Sequence, residues 1–458
     1  MANIAFIQNR LGRTDGVSLE VDKWRCILEK KGHTVFYLSG NDDVAGNIVI
    51  PELYAAHPWT AKILRNASVA LTDYPNEAEL EMDIYALSDV IEEKLLDCIK
   101  TYALDVLVPN NLCSGGYQPA AGIALHRVIR KTGLRTIIHS HDFYFEDSGE
   151  VRATCQTVQS IYDRYFPCKL PNVQHVLINR LAQRELKQRK NIDSLVVPNV
   201  FDFDQKPWKE DDYNCDFRFS LGIAADDLVF LQATRILDRK GIELAIDTVA
   251  ELGKDLYRNK LFGVSTAAGG VFSSSSRIIL LCAGIVETIG ISAMYWENLK
   301  NKAASLGVDL VQASEYVAHS RHVRDDGRKI YSLWDSYVAS DFVTYPSVWE
   351  GWGNQFVEAL FAKLPVLLFK YPVYISDLED KQFEVISLGN TIAGHDEHGL
   401  VTVDHKIIVK CATEIVEVLT NPILRKHMVE HNYKMAKSHF SFINLEEYID
   451  ILLGNADI

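Results

Sequence analysis

Short apolar runs alternate with longer stretches of helical periodicity along the chain. The first two runs, Asn3–Ile7 and His33–Leu38, flank a helical pattern from about Ser18 to Lys31. Runs of roughly four to eight apolar residues are typical of buried strands, whereas apolar residues at every third and fourth position are typical of helices. A strand, a glycine-containing loop, a helix and a second strand predict the opening of a doubly wound parallel sheet.

The same alternation continues to about residue 200 and then begins again. Further strands of the first half are predicted at Val106–Pro109, Arg135–His139, Gln174–Asn179 and Ser194–Val197. Strands of the second half are predicted at Leu228–Thr234, Arg277–Cys282, Val308–Val311 and Asp341–Ser347. Between the halves, PNVFDFDQKPWKEDDYNCDF is polar, contains two prolines and lacks periodicity, which is typical of a linker. We therefore expect an α/β protein with two domains.

Composition and charge exclude several classes of protein. The 458 residues are too many for one ordinary core, and 48% hydrophobic and 24% charged residues are typical of a globular protein. A formal net charge of −14 without a long basic run argues against nucleic acid or an anionic membrane as the main partner. The sequence has no signal-peptide pattern, and no stretch approaches ~18 uninterrupted apolar residues. These features predict a cytoplasmic protein without a transmembrane segment, and they leave a homo-oligomer open.

The cysteines and paired aspartates do not predict a metal site. The eight cysteines are scattered, and none forms a CxxC pair or another metal-ligand spacing. They are expected to be reduced thiols rather than a disulfide framework. The pairs Asp42-Asp43, Asp211-Asp212 and Asp325-Asp326 lie in polar contexts that are typical of solvated turns.

The segment DFVTYPSVWEGWGNQFVEALFAKLPVLLF, residues 341–369, is the strongest candidate for a functional site. It predicts a strand, a glycine-containing loop, a helix and another strand. Free backbone N–H groups and the positive end of a helix dipole make such a loop suitable for phosphate. Glu350 precedes the glycines, and Glu358 falls in the first turns of the helix. Both carboxylates can therefore face one ligand over the loop.

A second candidate segment supplies positive charge. Arg235 and Lys240 lie on the turn that follows the strand ending near Thr234. Two cations and open amides suit a diphosphate, whereas carboxylates suit the hydroxyls of a sugar or ribose. Two similar α/β halves predict that this ligand lies in the cleft between them, at the carboxyl ends of the strands.

Taken together, TRILDRKGIELAIDTVAEL, YPSVWEGWGNQFVEAL and KLPVLL resemble retaining glycosyltransferase family 4, which has the GT-B fold. Glu350 and Glu358 match that family's E-x7-E signature. HSHDFYFED, FPCKLPNVQHVLIN and KYPVYISDLEDKQFEVI are also similar to a subgroup that includes mannosylglucosylglycerate synthases. The resemblance implies two Rossmann-like domains that face a central cleft. Residues 1–200 would form the acceptor-side domain and 201–435 the nucleotide-sugar domain, and the helical segment 436–458 could pack back on the first domain.

The resemblance implies a role for each matching residue. Arg235 and Lys240 would hold the diphosphate and stabilise the charge of the leaving group. Glu358 would accept hydrogen bonds from ribose hydroxyls, and Glu350 would contact the donor sugar together with the loop. The loop residues are Gly351, Trp352, Gly353 and Asn354. His141 would lie near the donor sugar, and a structural hydrogen bond is its alternative role.

The first-domain loop is matched less closely. Gly16 would approach the donor phosphate, but Arg13-Thr14-Asp15 separates it from Gly12, where family members often have paired glycines. Arg10, Arg13 and Asp142 are the candidates for the acceptor, and a turn or cap role is the alternative for Asp142.

The expected chemistry is hexosyl transfer from a UDP- or GDP-sugar to a small acceptor such as a glycerate derivative, with retained configuration. The departing nucleoside diphosphate could take the acceptor's proton, and neither a covalent nucleophile nor a metal or other cofactor would be required. The alternatives are a glycoside phosphorylase, a non-catalytic nucleotide-sugar-binding protein and a transferase acting on tRNA. Two further stretches are interpreted structurally: Tyr331, Trp334 and Tyr337 as a buried helix face, and the basic loop 318–329 as solvated surface or a lid.

Overall fold

The computed structural model describes residues 1–12, 16–146, 151–286 and 291–454. Contacts divide the chain into two compact units. Unit 1 comprises Met1–Val200 and Phe442–Ile458, and unit 2 comprises Phe201–Ser441. The chain thus changes unit in the predicted linker and again after Ser441, beyond the predicted position 435.

Unit 1 is built on a parallel sheet that has seven strands among its described residues. The strands are β1 (Asn3–Gln8), β2 (Thr34–Ser39), β3 (Ile48–Val49), β4 (Val106–Pro109), β5 (Arg135–Ser140), β6 (Val173–Leu177) and β7 (Leu195–Val196). The helices between them are α1 (Gly16–Lys30), α2 (Pro58–Ser68), α3 (Glu77–Thr101), α4 (Pro119–Thr132), α5 (Gln156–Tyr165) and α6 (Arg180–Lys190). The order across the sheet is β3-β2-β1-β4-β5-β6-β7.

Unit 2 repeats this architecture with additional short strands. Its strands are β8 (Leu228–Gln232), β9 (Ile278–Cys282), β10 (Asp309–Gln312), β11 (Val317–Ala318), β12 (His322–Val323), β13 (Lys329–Ser332), β14 (Phe342–Tyr345), β15 (Val366–Leu368), β16 (Ile386–Ser387), β17 (Gly394–His395) and β18 (Val401–Thr402). Its helices are α7 (Phe217–Ser220), α8 (Ile242–Leu252), α9 (Asp255–Arg258), α10 (Ile291–Leu306), α11 (Leu333–Val338), α12 (Asn354–Phe361), α13 (His405–Thr420) and α14 (Pro422–Phe440). The main sheet is parallel, with the order β10-β9-β8-β14-β15-β16.

Both main sheets have the strand order of a Rossmann fold. When only the strands of the main sheet are numbered along the chain, each sheet contains the order 3-2-1-4-5-6. The order reverses between β1 and β4 in unit 1 and between β8 and β14 in unit 2. Loops that follow these four strands lie at the edge where open α/β sheets bind ligands.

The two faces of the unit 1 sheet are buried under different helices. Ile4 and Phe6 of β1 pack in the same apolar cluster as Trp24 of α1. Ala5 and Ile7 belong to a second cluster, which α3 and α4 help to form. This division follows from the alternation of side chains along a strand. Each fully buried large apolar side chain stabilises the unit by about 1.5–3 kcal/mol.

The last described helix, α15 (Phe442–Leu453), belongs to unit 1. Leu445, Ile449 and Leu452 are buried in the cluster that contains the α1 side chains. At its edge, the Lys31 ammonium lies 2.9 Å from an oxygen of Asp450. An apolar stripe and an ion pair therefore attach this C-terminal helix to the first helix of the unit.

The aromatic stripe predicted for one helix is divided between two elements. Tyr331 lies on β13, whereas Trp334 and Tyr337 lie on α11. The helix begins after Ser332 because Ser332 and Asp335 form a capping box that satisfies the first backbone N–H groups. The prediction of one helix carrying all three rings was wrong, but Tyr331 and Tyr337 are buried as expected.

The basic segment 318–329 is largely exposed, and Arg321 and Lys329 attach it to neighbouring residues. Arg321 forms ion pairs with Asp335 and, at 2.7 Å, with Asp211. The guanidinium of Arg321 and the ammonium of Lys329 lie 5.1 and 5.3 Å from the ring centre of Tyr213. These contacts anchor the segment to the polar stretch that follows the first change of unit.

Candidate active site

The two candidate segments of unit 2 meet where the order of its sheet reverses. Arg235 and Lys240 lie in the connection between β8 and α8. Residues 346–353 form the connection between β14 and α12, and β8 and β14 are neighbours in the sheet. The Val348 N–H donates to the carbonyl oxygen of Arg239 at 2.9 Å. The topology and this hydrogen bond therefore join the two segments.

Gly241 allows the two connections to approach each other. Its φ of +58° lies in the left-handed region, which favours glycine. A Cβ atom at this position would lie 2.5 Å from the carbonyl oxygen of Pro346. Any larger residue would therefore push the loop of Glu350 away from the turn of Lys240.

A buried ion cluster forms the centre of the site. The Lys240 ammonium lies 2.5 Å from one oxygen of Glu350, and an Arg239 nitrogen lies 3.2 Å from the other oxygen. Lys240 and Glu350 are buried, and the Arg239 guanidinium also lies 5.2 Å from the ring centre of Trp349. Arg235, which is exposed, adds positive charge close enough to act on Lys240.

The ion cluster has three cationic side chains for one buried carboxylate, and this excess of positive charge contributes to the lowered pKa values of both Glu350 and Lys240. Burial alone would raise the pKa of Glu350, but Lys240 and Arg239 lower it below its usual value. The pKa of Lys240 is also lowered, mainly by burial and also by the two arginines, while Glu350 acts in the opposite direction. Glu350 is therefore ionised at neutral pH, and its surroundings favour the arrival of an anion.

Glu358 occupies the second turn of α12 and is also buried. The hydroxyl of Tyr337 donates a hydrogen bond to its carboxylate at 2.9 Å. Helix α12 begins at Asn354, and the first backbone N–H groups of a helix have no acceptor within the helix itself. A carboxylate and a helix N-terminus thus lie within one short segment.

A hydrogen bond from a tyrosine fixes the glycine loop. The hydroxyl of Tyr371 donates to the carbonyl oxygen of Trp352 at 2.6 Å. Gly353 has a φ of +142°, and a Cβ atom there would lie 2.3 Å from the same hydroxyl oxygen. The Trp352 side chain is buried against Phe440, with ring centres 5.4 Å apart. The start of α12 is therefore set by close packing that only glycine permits at this position.

His141 follows β5 in unit 1 and is buried beside His139, with ring centres 4.3 Å apart. Its backbone N–H donates to Asn111 Oδ1 at 2.7 Å, and the Asn111 amide donates to Asp142 at 2.9 Å. Asn111 adopts a left-handed φ of +55°. A single asparagine therefore positions both residues that the sequence singled out in this loop.

Burial keeps both histidines uncharged. It lowers the pKa of His141 to about 3, with a smaller contribution from Lys23. It also lowers the pKa of His139 well below the usual value, and His141 adds to that effect. Among the described residues, the Nε2 atom of His141 has no hydrogen-bond partner. At neutral pH this side chain can exchange hydrogen bonds with hydroxyl groups but does not carry a positive charge.

The remaining predicted residues of unit 1 lie around the loop that follows β1. Arg10 is exposed, and Gly16 is the first residue of α1. Gly12 has a φ of +82°, where a Cβ atom would lie 2.5 Å from a Val44 methyl group. Arg13 lies outside the described residues. The positive φ of Gly12 therefore favours glycine at this position.

Within the described ranges, no group of three or more His, Cys, Asp or Glu side chains is arranged to hold a metal ion. All eight cysteines are described and are free thiols. Arg239, Tyr337, Asn111 and Tyr371 contact the predicted site residues but were missed in the sequence. Only Arg239, adjacent to Lys240 in a basic turn, carried a signal that could have identified it.

No model of a known protein family matches the chain. Two curated proteins are similar to it over nearly its whole length. Mannosylglucosylglycerate synthase from Petrotoga mobilis is 40% identical over 419 residues, which cover 92% of this chain and 94% of the relative. Mannosylglucosylglycerate synthase from Thermotoga maritima is 39% identical over 447 residues, covering 97% and 98%. The chain belongs to the mannosylglucosylglycerate synthase family.

Membership of this family makes the chain a glycosyltransferase, and the predicted enzyme class is confirmed. The non-enzymatic alternative is thereby excluded. In the part of the chain that the structure describes, no helix is long and apolar enough to cross a membrane.

Solved structures establish the fold. A glycosyltransferase from Rickettsia africae has a TM-score of 0.62 at 13% identity, covering 99% of both chains. Sucrose-phosphate synthase from Thermosynechococcus elongatus has a TM-score of 0.59 at 13% identity, again covering 99% of both chains. HepE from Anabaena, solved with UDP and glucose, has a TM-score of 0.57 at 13% identity and covers all of both chains. The predicted GT-B class with two Rossmann-like domains is confirmed.

Proposed function

We propose that this protein transfers a mannosyl group from a nucleoside diphosphate sugar to glucosylglycerate. The relatives are named for the product mannosylglucosylglycerate, which differs from glucosylglycerate by one mannosyl group. The observation that carries the proposal is the buried Glu350 carboxylate with Lys240, Arg239 and Arg235 around it. Excess positive charge suits a diphosphate, and a buried carboxylate suits sugar hydroxyls.

The donor would displace part of the ion cluster when it binds. Lys240 and Arg235 would turn to the diphosphate oxygens, and the backbone at the start of α12 would face the same anion. Glu350, freed from Lys240, would accept hydrogen bonds from the hydroxyls of the donor sugar. Glu358 would accept from the ribose of the nucleotide.

Transfer would proceed with retention of the anomeric configuration. The bond from the anomeric carbon to the diphosphate oxygen breaks, and the new bond to the acceptor oxygen forms on the same face of the sugar. A β-phosphate oxygen of the departing nucleoside diphosphate would take the acceptor's proton. Lys240 and Arg235 would stabilise the negative charge that builds on this leaving group. His141, uncharged at neutral pH, would hydrogen-bond a sugar hydroxyl.

The chain's own cations would carry out the charge neutralisation for which many transferases use a divalent metal. We therefore propose that the transfer requires no metal ion. We expect activity to persist after the enzyme is treated with a chelator, and loss of activity that Mg²⁺ or Mn²⁺ restores would contradict this part of the proposal.

The experiment that tests the function combines a donor panel with product analysis. UDP-, GDP- and ADP-sugars are first scored by thermal shift, because a ligand that binds only the folded protein raises its melting temperature. The stabilising donor is then incubated with glucosylglycerate, and the product's anomeric configuration is read by NMR. A retained-configuration mannosyl product supports the proposal.

Glycerate and glucose serve as alternative acceptors in the same assay. Transfer to one of them but not to glucosylglycerate would overturn the acceptor assignment. A parallel reaction with inorganic phosphate in place of the nucleotide tests the phosphorylase alternative, and turnover there would overturn the nucleotide-sugar assignment.

A further inference from the structure

Tyr337 makes a buried hydrogen bond to one of the two signature carboxylates. Its hydroxyl lies 2.9 Å from Glu358 Oε2 and 3.4 Å from the carbonyl oxygen of Gln355. Both Tyr337 and Glu358 are buried, at 2% and 6% exposure. A hydrogen bond out of water is stronger than one at the surface. This bond therefore restricts the rotamer of Glu358.

The ring of Tyr337 cannot easily move away from this position. Trp208 packs against it with ring centres 5.3 Å apart, and Trp208 stacks on Trp334 at 4.6 Å. The helix that carries Tyr337 and Trp334 is fixed at its start by the capping box of Ser332 and Asp335. The hydroxyl is thus presented to Glu358 by a rigid support that is separate from the glycine loop.

The direction of the hydrogen bond is also determined. Burial, and then the charge of Glu358, raises the pKa of Tyr337 well above the usual value for tyrosine. The phenol therefore keeps its proton at neutral pH, and it remains the donor. Glu358 Oε2 is therefore the acceptor in this bond, and carboxylate oxygens also accept hydrogen bonds from the hydroxyl groups of a ligand.

We propose that Tyr337 is a positioning residue for the nucleoside part of the donor, acting through Glu358. This inference rests on the proposed function, in which Glu358 accepts from the ribose. The aromatic ring that the sequence indicated only as core would then contribute to donor recognition. Tyr337 would affect binding of a nucleoside diphosphate but would leave binding of the diphosphate group unchanged, because Lys240 and Arg235 bind that group.

The test compares Tyr337→Phe with Tyr331→Phe. Tyr331 is an apt control because it is buried to 1% exposure and its hydroxyl bonds the Asp216 carboxylate at the same 2.9 Å, away from both signature glutamates. For each variant, binding of the nucleoside diphosphate and of inorganic pyrophosphate is measured by calorimetry, and kcat and KM for the donor are measured separately.

We expect Tyr337→Phe to weaken nucleoside diphosphate binding and to raise the donor KM about tenfold, with pyrophosphate binding unchanged and kcat within about twofold. Tyr331→Phe should leave all of these values unchanged, even if both variants lose similar thermal stability. Equal effects in the two variants, or equal weakening of nucleotide and pyrophosphate by Tyr337→Phe, would overturn the proposal. If the wild-type enzyme binds no nucleoside diphosphate, the proposed function itself fails, so the two failures are distinguishable.

Discussion

At the scale of single residues, the charge state of the site depends on neighbours that lie far away in sequence. Glu350 is ionised because Lys240 and Arg239, more than a hundred residues earlier, outweigh the cost of its burial. Lys240, in turn, holds its proton less tightly than an ordinary lysine. Removing Glu350 would leave the buried Lys240 ammonium without its ion-pair partner, and an unpaired buried charge destabilises a protein by about 3–5 kcal/mol.

Lys240 should set an alkaline limit on donor binding. As the pH rises through its lowered pKa, the ammonium loses its charge and the diphosphate loses a partner, so the donor KM should rise below the pH at which an ordinary lysine titrates. In Lys240→Arg the guanidinium keeps its charge, and this rise should disappear. The measurement is the donor KM from neutral to alkaline pH in both proteins, and superimposable profiles would contradict the assignment.

Arg239 is one of the site residues that were not predicted from the sequence, and its loss should reduce activity less than the loss of Lys240. Arg239→Met keeps an apolar side chain against Trp349 but removes one of the two positive charges that contact the Glu350 carboxylate. We expect kcat/KM to fall about tenfold, whereas Lys240→Ala should abolish transfer. Steady-state kinetics at neutral pH distinguish the two variants. An unchanged kcat/KM in Arg239→Met would exclude a role for the Arg239 guanidinium in the transfer.

At the scale of elements, each predicted functional loop follows the carboxyl end of a strand. The strand–loop–helix pattern of residues 341–361 was readable because glycines interrupt one periodicity just before another begins. Helix boundaries were predicted less well where capping decided them. Tyr331 lies on a strand because the capping box of Ser332 and Asp335 starts the helix after it. The capping box depends on side-chain geometry, which the sequence pattern does not show.

The start of α12 should be sensitive to a single methyl group. Gly353→Ala would place a Cβ atom against the Tyr371 hydroxyl at a φ of +142°, so the loop must shift and the donor site with it. We expect donor binding to weaken by about tenfold or more. Gly263→Ala is the matched control, because its φ of +92° carries backbone strain without any atom within 4 Å of the new Cβ.

Calorimetric titration of both variants with the nucleoside diphosphate separates the clash from the strain. Equal losses of affinity in Gly353→Ala and Gly263→Ala would show that backbone strain, rather than the position of the loop, limits binding.

At the scale of the whole molecule, buried neutral histidines should make the protein sensitive to acid. Burial lowers the pKa of His141 to about 3 and that of His175 to about 4, whereas the unfolded chain protonates histidine near pH 6.5. Their contribution to stability is therefore complete above about pH 6.5 and is lost as the pH falls towards the folded-state values. For each such histidine, the free energy of unfolding should fall by about 1.4 kcal/mol for every pH unit by which the pH is lowered within this window.

Denaturant unfolding at pH 7.5 and 5.5 tests this expectation in the wild type and in His175→Gln. His175 is a suitable probe because it lies on β6 and its Nε2 hydrogen-bonds the carbonyl oxygen of Cys168 rather than a residue of the candidate site. The variant should lose less stability on acidification than the wild type. A variant that loses as much as the wild type would show that His175 does not contribute to the pH dependence.

The sequence alone determined the fold class, and it predicted a linker near residue 200 and the candidate site segments around Lys240 and Glu350. It could do so because strand and helix periodicities, glycine punctuation and linker composition are local properties of the chain. The tertiary structure alone decided the partners: Arg239 with Glu350, Tyr337 with Glu358, and Asn111 with His141. Such pairs form between residues far apart in sequence. Parallel strand order and burial place them together, and neither is encoded in any single segment.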